Sequence, residues 1–425
     1  MIRNKFISDG LIYTVANFLV AGIPFCLLPL LTRVLDPEAY GKIAMFSVVV
    51  ACISIFSGLN VHGAVMVRYF DRQNFVLSKY ITTVLLLLLV TTTIIVLFIL
   101  VEGSHITKFT GLPSTWLIVA TILAALQFVT QLILTLWQSS KKPFNYGVLR
   151  LMQALTDGIA SIILVFSFTL SWHGRISGML IASALTALIA FKFMAIEGWL
   201  NRRGSISYAK DALKFGVPLV PHALAGLVLG MADRVMVTNY LDIGSTGIYM
   251  VAVQIGAILL IFVDAVNKVY APWLIGSLGH ISQEKKIRIV WYSYMYYIAL
   301  ITISLFFGWL VKSFLLKLFV GDKYAAAAEI IPLIFLGYAF TGMYYTVTNY
   351  IFFAKKTIYL SSLTLIIGSI TFLLYKILLD FYGLYGIALG FCMGQAIMFL
   401  GAWILAQIVC PMPWNLFLNK NIIRT

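Results

Sequence analysis

Charged side chains are scarce in this sequence. Asp, Glu, Lys and Arg make up 11% of its 425 residues, whereas 61% are hydrophobic and the mean hydropathy is +0.98. Ordinary soluble domains contain about 25% charged residues, so the composition excludes that class of protein. The sequence instead offers one apolar run after another, each close to the roughly 20 residues that cross a bilayer as a helix.

Cysteine, histidine and long polar loops are also in short supply. The chain has four cysteines and five histidines. The cysteines lie in or beside apolar runs without paired spacing, which excludes a disulfide framework, and no spacing of zinc ligands is present. The sequence contains no nucleophile with a neighbouring base, no glycine-rich phosphate loop and no segment that would fold as an outer catalytic domain. We therefore predict that the protein is not an enzyme and needs no metal or cofactor.

The apolar runs predict the fold class. In lipid the backbone must satisfy its own hydrogen bonds, which permits only helices and closed barrels. The runs lack the alternation of barrel strands, so we expect an all-α polytopic membrane protein with twelve transmembrane helices. The predicted spans are 11–32, 42–65, 79–101, 115–138, 148–170, 176–197, 214–240, 247–270, 289–312, 326–353, 357–379 and 385–409.

The net charge of +15 is explained by topology and does not indicate nucleic-acid binding. If the N-terminus is cytoplasmic, 20 of the 30 Lys and Arg residues fall on the cytoplasmic side, 7 on the outer side and 3 inside helices. Short cytoplasmic loops are typically enriched in Lys and Arg. The distribution therefore predicts that both termini are cytoplasmic.

An internal repeat divides the chain into halves. The offset of 206 residues between segments 31–49 and 237–255 pairs Thr32 with Thr238, Leu35 with Leu241, Asp36 with Asp242 and Gly41 with Gly247. A second offset, after the fourth helix of each half, pairs Lys141-Lys142 with Lys355-Lys356. Since six helices is an even number, both halves have the same orientation, as in parallel-repeat transporters. We predict a six-helix lobe at 1–200, a cytoplasmic linker at 201–213, a second lobe at 214–410 and a cytoplasmic tail at 411–425, with a MATE-like central cavity between the lobes.

Polar side chains recur at helical spacing inside the apolar runs. A charged side chain at the centre of a bilayer costs about 2.5–3.5 kcal/mol on insertion scales, so such groups usually face a wet interior. Arg150, Gln153 and Asp157 share one helical face, and Asp264 and Lys268 have a spacing that allows an ion pair. Polar contacts between helices are the alternative interpretation of these faces, and Arg68 and Lys268 are near enough to the surface to reach headgroups.

Two further features suggest cavity residues. Arg234 shares its helical face with Gly230, which leaves room beside it, and we expect Asp233 to tether it or to meet a second helix. Tyr338 and Tyr345 belong to a polar-aromatic face suited to sugar contact. The complete set of predicted cavity residues is Asn60, Arg68, Arg150, Gln153, Arg234, Lys268, Tyr338 and Tyr345, with Asp157 and Asp264 as candidates for ion coupling.

Two segments carry a family resemblance. The segment "DRVMVTNYLDIGSTGIYMVA" at 233–252 resembles the D-R-x(n)-L-G-x(3)-G-x-Y motif of Wzx-type polysaccharide flippases, within the multidrug/oligosaccharidyl-lipid/polysaccharide exporter superfamily. "LLTRVLDPEAYG" at 30–41 is similar to the matching segment near that family's N-terminus. Asp242 and Ile243 stand where Leu-Gly is usual. The resemblance covers the chain in length, helix number and equivalence of the halves.

The resemblance implies a function. A Wzx-type protein moves an undecaprenyl-pyrophosphate oligosaccharide, such as an O-antigen repeat unit, from the cytoplasmic to the periplasmic leaflet of a bacterial inner membrane. It implies alternating access, a cationic cavity and work beside a polymerase and a chain-length regulator. Two alternatives remain: a cation-coupled multidrug exporter of the same superfamily, and a peptidoglycan-precursor flippase, whose relatives usually have fourteen helices. A structural or regulatory membrane protein is a third, which the polar faces disfavour.

Overall fold

The computed structural model describes residues 2–71, 75–278 and 282–414, with the side chains of 2–14, 315, 317 and 318 left out. Over these residues the chain is almost entirely helical, as the composition predicts. The helices are α1 Ile2–Val34, α2 Pro37–Gly58, α3 Val61–Phe70, α4 Leu77–Thr110, α5 Ser114–Ser139, α6 Pro143–Ile162, α7 Ser171–Ile196, α8 Ile206–Gly216, α9 Val220–Tyr240, α10 Ile243–Leu278, α11 Gln283–Leu310, α12 Leu316–Phe319, α13 Ala327–Phe353 and α14 Thr357–Val409. Two π-helical turns, Ile163–Ser167 and Val311–Leu315, and two 3₁₀ turns, Val217–Leu219 and Asp322–Tyr324, extend these helices or connect them.

The described residues include eleven helices that are long and apolar enough to cross a membrane. The longest, α14, contains Gly383 in a non-helical, left-handed conformation with φ 56°. The two parts of α14 run antiparallel, because a Cβ atom at Gly386 would lie 1.9 Å from the carbonyl oxygen of Leu378. Dividing α14 at Gly383 yields the twelve membrane segments that the sequence predicts.

Many large apolar side chains point away from the protein. Only 17% of the most apolar part of α4 is buried. Leu89, Leu100 and Val101 on this helix are 64%, 66% and 77% exposed. In water such a surface would be an aggregation site, but in a bilayer it is the face that contacts lipid. The protein is therefore a multi-pass membrane protein.

Contacts group the chain into two compact units, Met1–Gly247 and Ile248–Thr425. The boundary lies one turn inside α10, because the first turn of α10 packs against the first turn of α2 in the first unit. The lobes at 1–200 and 214–410, which rest on the sequence repeat, stay a prediction. The linker at 201–213 is partly helical, since it contains most of α8, which packs on α3 and α4. Residues 415–425 of the predicted tail lie outside the described residues.

The repeated segments have the same local structure. Asp36 caps α2 by accepting a 2.7 Å hydrogen bond from the backbone N–H of Ala39, and Asp242 accepts a 2.7 Å bond from the N–H of Ser245. Both are the side-chain caps that a helix start favours. The equivalent positions also meet in space: Gly41 faces the carbonyl of Ile243, and Gly247 faces the carbonyl of Pro37. The Leu-Asp-x(4)-Gly repeat therefore marks two equivalent helix starts that pack on each other.

An aromatic cluster surrounds the short segment that follows α14. Trp414 is 6% exposed, and its ring lies 5.8 Å from that of Tyr294, 6.1 Å from that of Tyr350 and 5.7 Å from that of Trp403. The hydroxyl of Tyr294 also donates to the Trp414 carbonyl oxygen at 2.8 Å. These contacts hold the segment after α14 against α11 and α13.

Candidate functional site

A polar cavity of about 510 Å³ lies inside the first unit. Its walls come from α1, from the junction of α2 and α3, and from α5, α6 and α7. The polar residues among its described lining are Ser54, Asn60, His62, Gln127, Thr130, Gln131, Arg150, Gln153, Asp157 and Ser183. Four of the residues predicted from helical spacing, Asn60, Arg150, Gln153 and Asp157, therefore lie on this one cavity.

A break in a membrane helix forms one wall. The sequence predicts a continuous helix over 42–65, but α2 ends at Gly58 and α3 begins at Val61. Leu59 and Asn60 between them both have left-handed backbone, with φ 41° and 54°. Asn is one of the few residues that adopt this conformation readily, whereas Leu rarely does. The break turns the Asn60 side chain to the cavity, and its Nδ2 atom is buried without a hydrogen-bond partner among the described residues.

The α6 wall carries the guanidinium of Arg150. Arg150 and Gln153 share the face that lines the cavity. The Nε atom of Arg150 is buried and has no hydrogen-bond partner in the part of the chain that the structure describes. A buried donor without a partner costs about 1–3 kcal/mol, and more for a charged group. Arg150 and Asn60 thus leave two donors at the cavity that a polar cargo can satisfy.

Asp157 is paired, although not with the residue that shares its helical face. Arg175 at the start of α7 donates to both Asp157 carboxylate oxygens, with a distance of 3.1 Å from Nη2 to Oδ2. Nη1 of Arg175 also donates to Ser161 Oγ at 2.7 Å. Arg175 is one of the seven Lys and Arg residues predicted on the outer side, and its pairing with Asp157 was not predicted. Asp157 lies five residues before the end of α6, and Arg175 lies four residues after the start of α7. Their similar distances from the connection between two antiparallel helices were the available signal.

Neutral amides supply the α5 wall of the cavity. Gln127 and Gln131 project from α5 into the cavity, one helical turn apart. Thr135 and Gln138 continue the same stripe in the sequence but are not among the lining residues. Thr130 is held by a 3.1 Å hydrogen bond to Thr186 of α7. The cavity therefore combines several amides with a single guanidinium.

Arg68 lies outside the cavity lining. Its guanidinium binds Asp211 of α8 through Nη2 at 2.6 Å and Nε at 3.0 Å, and it also binds Asp71 at 3.1 Å. The Tyr80 hydroxyl donates to the same Asp211 carboxylate at 2.9 Å, and the Phe75 ring centroid lies 4.1 Å from the guanidinium carbon. In this structure Arg68 fastens α8 to α3 and α4.

Arg234 is also engaged locally. Its Nη1 atom lies 2.8 Å from Asp233 Oδ1 and 2.7 Å from the carbonyl oxygen of Gly230. Neighbouring positions on a helix point about 100° apart, but the long Arg side chain folds back to reach the buried carboxylate. Arg234 is absent from the described lining of the cavity in the first unit.

The remaining predicted residues belong to the second unit. Lys268 and Asp264 of α10 form an ion pair at 2.6 Å, in which both side chains are largely exposed. Next to them, Asn349 of α13 donates to Asn267 at 2.9 Å, and Tyr345 lies one helical turn before Asn349 on α13. These five residues form a polar patch on α10 and α13.

Tyr338 is not part of this polar patch. It is 9% exposed, and its ring packs edge-on against Phe391 with centroids 5.2 Å apart. One turn further along α13, the Thr341 hydroxyl lies 3.1 Å from the Gln395 side-chain oxygen. Tyr338 thus contributes to the packing between α13 and α14.

The sequence matches a family of known proteins and two proteins of one bacterium. A family model described as "Polysaccharide biosynthesis protein" matches residues 6–278. An "Uncharacterized membrane protein" of Haemophilus influenzae is 26% identical over 83% of this chain and 85% of its own length. "Lsg locus putative protein 1" of the same organism is 22% identical over 83% of this chain and 86% of its own length.

Solved structures of similar fold include two kinds of transporter. "Lipid II flippase MurJ, inward closed conformation" matches with a TM-score of 0.73 and 15% identity, over 93% of this chain and 87% of that one. The inward-facing conformation of a multidrug resistance MATE family transporter of the MOP superfamily matches with a TM-score of 0.62 and 14% identity, over 93% and 94% of the two chains. At these identities the match establishes a shared fold.

Proposed function

Because the chain belongs to the family of polysaccharide biosynthesis proteins, we propose that it is a flippase for undecaprenyl-pyrophosphate-linked oligosaccharide. It moves one repeat unit of a surface polysaccharide, such as O-antigen, from the cytoplasmic to the periplasmic leaflet of a bacterial inner membrane by alternating access. Both termini then lie in the cytoplasm, as the distribution of Lys and Arg predicts.

The observation that carries the proposal is the polar cavity of the first unit. Its donors Asn60 Nδ2 and Arg150 Nε are buried without partners among the described residues, inside a body of apolar helices. Leaving such groups unsatisfied is costly unless a cargo binds them. The discontinuity between α2 and α3 at this cavity also resembles the broken helices that form substrate sites in secondary transporters.

The charge of the cargo gives the transport a direction. A pyrophosphate that carries two negative charges moves outward down the usual inside-negative potential. At about 2.3 kcal/mol per charge per 100 mV, this movement gains roughly 4–5 kcal/mol. The membrane potential is thus sufficient in principle to bias flipping outward. Asp157 and Asp264 are the acids that we propose to test for coupling to a proton or sodium gradient.

Transport in liposomes tests the proposal. The purified protein is offered a labelled undecaprenyl-pyrophosphate oligosaccharide, read by its accessibility to an external glycosidase, and in parallel lipid II and a fluorescent organic cation under proton or sodium gradients. We expect movement of the oligosaccharide lipid alone. Movement of the cation alone would make the protein a drug exporter, and movement of lipid II alone would make it a peptidoglycan-precursor flippase.

Substitutions at cavity residues test whether the cavity takes part in transport. We expect Arg150→Gln to slow flipping at unchanged membrane insertion, whereas Lys192→Gln, an exposed lysine of α7 outside the cavity, leaves it unchanged. Asp157→Asn and Asp264→Asn, each assayed with and without an imposed gradient, show whether either acid couples transport to an ion.

A further inference from the structure

We propose that the cavity of the first unit binds the sugar part of the cargo, that it selects a sugar bearing one carboxylate, and that the pyrophosphate stays outside it. This inference rests on the proposed function and narrows it. The carboxylate binds Arg150, and the hydroxyl groups of the sugar bind the surrounding amides.

The charge balance of the cavity is the first argument. The ionisable groups among its described lining residues are Arg150, Asp157 and His62, and histidine counts as neutral at pH 7. The negative charge of Asp157 is neutralised by its bidentate ion pair with Arg175. The guanidinium of Arg150 is therefore the one uncompensated charge of the described lining. One guanidinium matches one carboxylate in charge and in its planar, paired geometry, whereas a pyrophosphate brings more negative charge than Arg150 alone can balance.

The neutral groups are the second argument. Asn60, Gln127, Gln131 and Gln153 supply four side-chain amides, and each amide both donates and accepts hydrogen bonds. Sugar hydroxyls also both donate and accept, so an amide lining satisfies them without adding charge. A lining for pyrophosphate would instead be expected to collect several Arg and Lys side chains.

The size of the cavity agrees with a small polar ligand. The cavity volume of about 510 Å³ falls within the 300–1,000 Å³ typical of small-molecule sites. Leu27, Phe128 and Leu134 provide apolar walls between the polar groups. The remaining predicted cations are already paired with carboxylates: Arg68 with Asp211, Arg234 with Asp233 and Lys268 with Asp264.

Equilibrium binding to the purified full-length chain tests the inference. The probes are a soluble trisaccharide of uronic acid, a neutral trisaccharide of the same linkage, and inorganic pyrophosphate, each measured by the ligand-induced rise in the unfolding temperature. We expect the acidic trisaccharide to bind about ten- to a hundredfold more tightly than the neutral one, the usual worth of a charge-assisted hydrogen bond. Inorganic pyrophosphate should not compete with it.

Variants assign the preference to particular residues. Arg150→Gln should abolish the preference for the acidic trisaccharide while leaving the affinity for the neutral one, and Arg150→Lys should retain part of it. Gln131→Leu should weaken both sugars, and Lys192→Gln should change neither. The unfolding temperature without ligand shows that each variant is folded.

Three outcomes would overturn the inference: competition by pyrophosphate that depends on Arg150, equal binding of acidic and neutral sugars, or no sugar binding by a folded protein. Because no lipid carrier and no transport enter this measurement, its failure is distinct from failure of the proposed function. A protein that flips the lipid-linked cargo in liposomes yet fails here is a flippase whose first-unit cavity does not select an acidic sugar.

Discussion

Gly41 and Gly247 meet backbone to backbone, and their surroundings are reciprocal. A Cβ atom at Gly41 would lie 1.8 Å from the carbonyl oxygen of Ile243, and one at Gly247 would lie 1.9 Å from that of Pro37. Because Ile243 follows Pro37 by the same 206 residues that separate the two glycines, the contact has local two-fold symmetry. Duplicated segments here form a self-complementary joint, as identical surfaces do in symmetric dimers.

The close contact between Gly41 and Gly247 predicts that one added methyl group at either position will lower the stability of the protein. Gly41→Ala and Gly247→Ala should each destabilise the protein by about 1–3 kcal/mol, because backbone atoms cannot move aside as a flexible side chain can. Thermal unfolding of the purified protein in detergent measures the effect. Gly22→Ala and Gly226→Ala are the controls, since a Cβ atom at either would meet nothing within 4 Å. At these helical positions alanine should be neutral or stabilising. An equal response at all four positions would show that the contact is not tight.

The pair Asp157 and Arg175 predicts a measurable coupling energy. Their side chains are 23% and 13% exposed, so the loss on breaking the pair should fall between the roughly 0–1 kcal/mol of surface pairs and the roughly 3–5 kcal/mol of fully buried ones. The test is a double-mutant cycle of Asp157→Asn and Arg175→Gln, read by thermal unfolding. The exposed pair of Lys312 and Glu329 serves as the reference cycle. If both cycles give the same coupling energy, the pair of Asp157 and Arg175 stabilises the protein no more than an exposed ion pair does.

The contacts of Arg68 predict that its substitution will loosen α8 and will not change cargo binding. Arg68→Gln removes the charged partner of Asp211, so α8 should open more readily. Hydrogen exchange of Ile206–Gly216 is expected to accelerate about tenfold or more, since a hydrogen bond to a charged group contributes about 1.5–3 kcal/mol. Lys210→Gln, an exposed position on the same helix, is the control. Unchanged exchange together with weaker cargo binding would reassign Arg68 to the substrate site.

Asn60 allows its backbone and side-chain roles to be separated. Asn60→Gly keeps the left-handed conformation with φ 54° but removes the amide. It should preserve thermal stability to within about 1 kcal/mol while weakening sugar binding. Asn60→Val should lower stability as well, because a β-branched residue is strained at positive φ. Sugar affinity and unfolding temperature, measured side by side, distinguish the two effects. Wild-type affinity in Asn60→Gly would remove the amide from the site.

Helical periodicity explains what could be predicted from the sequence. The stripe of Arg150, Gln153 and Asp157 reaches one cavity because spacing fixes which side chains share a face. Spacing does not fix their partners, which come from other helices. Asp157 therefore pairs with Arg175, and Arg68 with Asp211, 143 residues away. The pairing of Arg68 with Asp211 depends on tertiary packing that no local pattern contains, whereas that of Asp157 with Arg175 could have been inferred only from the antiparallel packing of α6 and α7.

The helix break and the surroundings of Arg234 show two other limits of prediction from the sequence. No proline marks the break at Leu59, and the neighbouring Asn60 is a weak signal that a periodic apolar run easily hides. Gly230 lies on the same helical face as Arg234 and indicated room for a ligand beside it. In the structure, the Arg234 side chain occupies that room and donates a hydrogen bond to the Gly230 carbonyl oxygen. Small residues indicate room beside a side chain, and they do not specify what occupies it.

The turn at Gly383 has a consequence for biosynthesis. The two parts of α14 are joined without a polar loop, and Gly386, Gly390 and Gly394 along the second part pack closely on Leu378, Tyr375 and Thr371 of the first. A hairpin with so short a turn reaches its packed state most directly if both parts enter the lipid together, since small residues that approach closely are the main attraction between helices there. The last two membrane segments are therefore expected to leave the translocon as one unit.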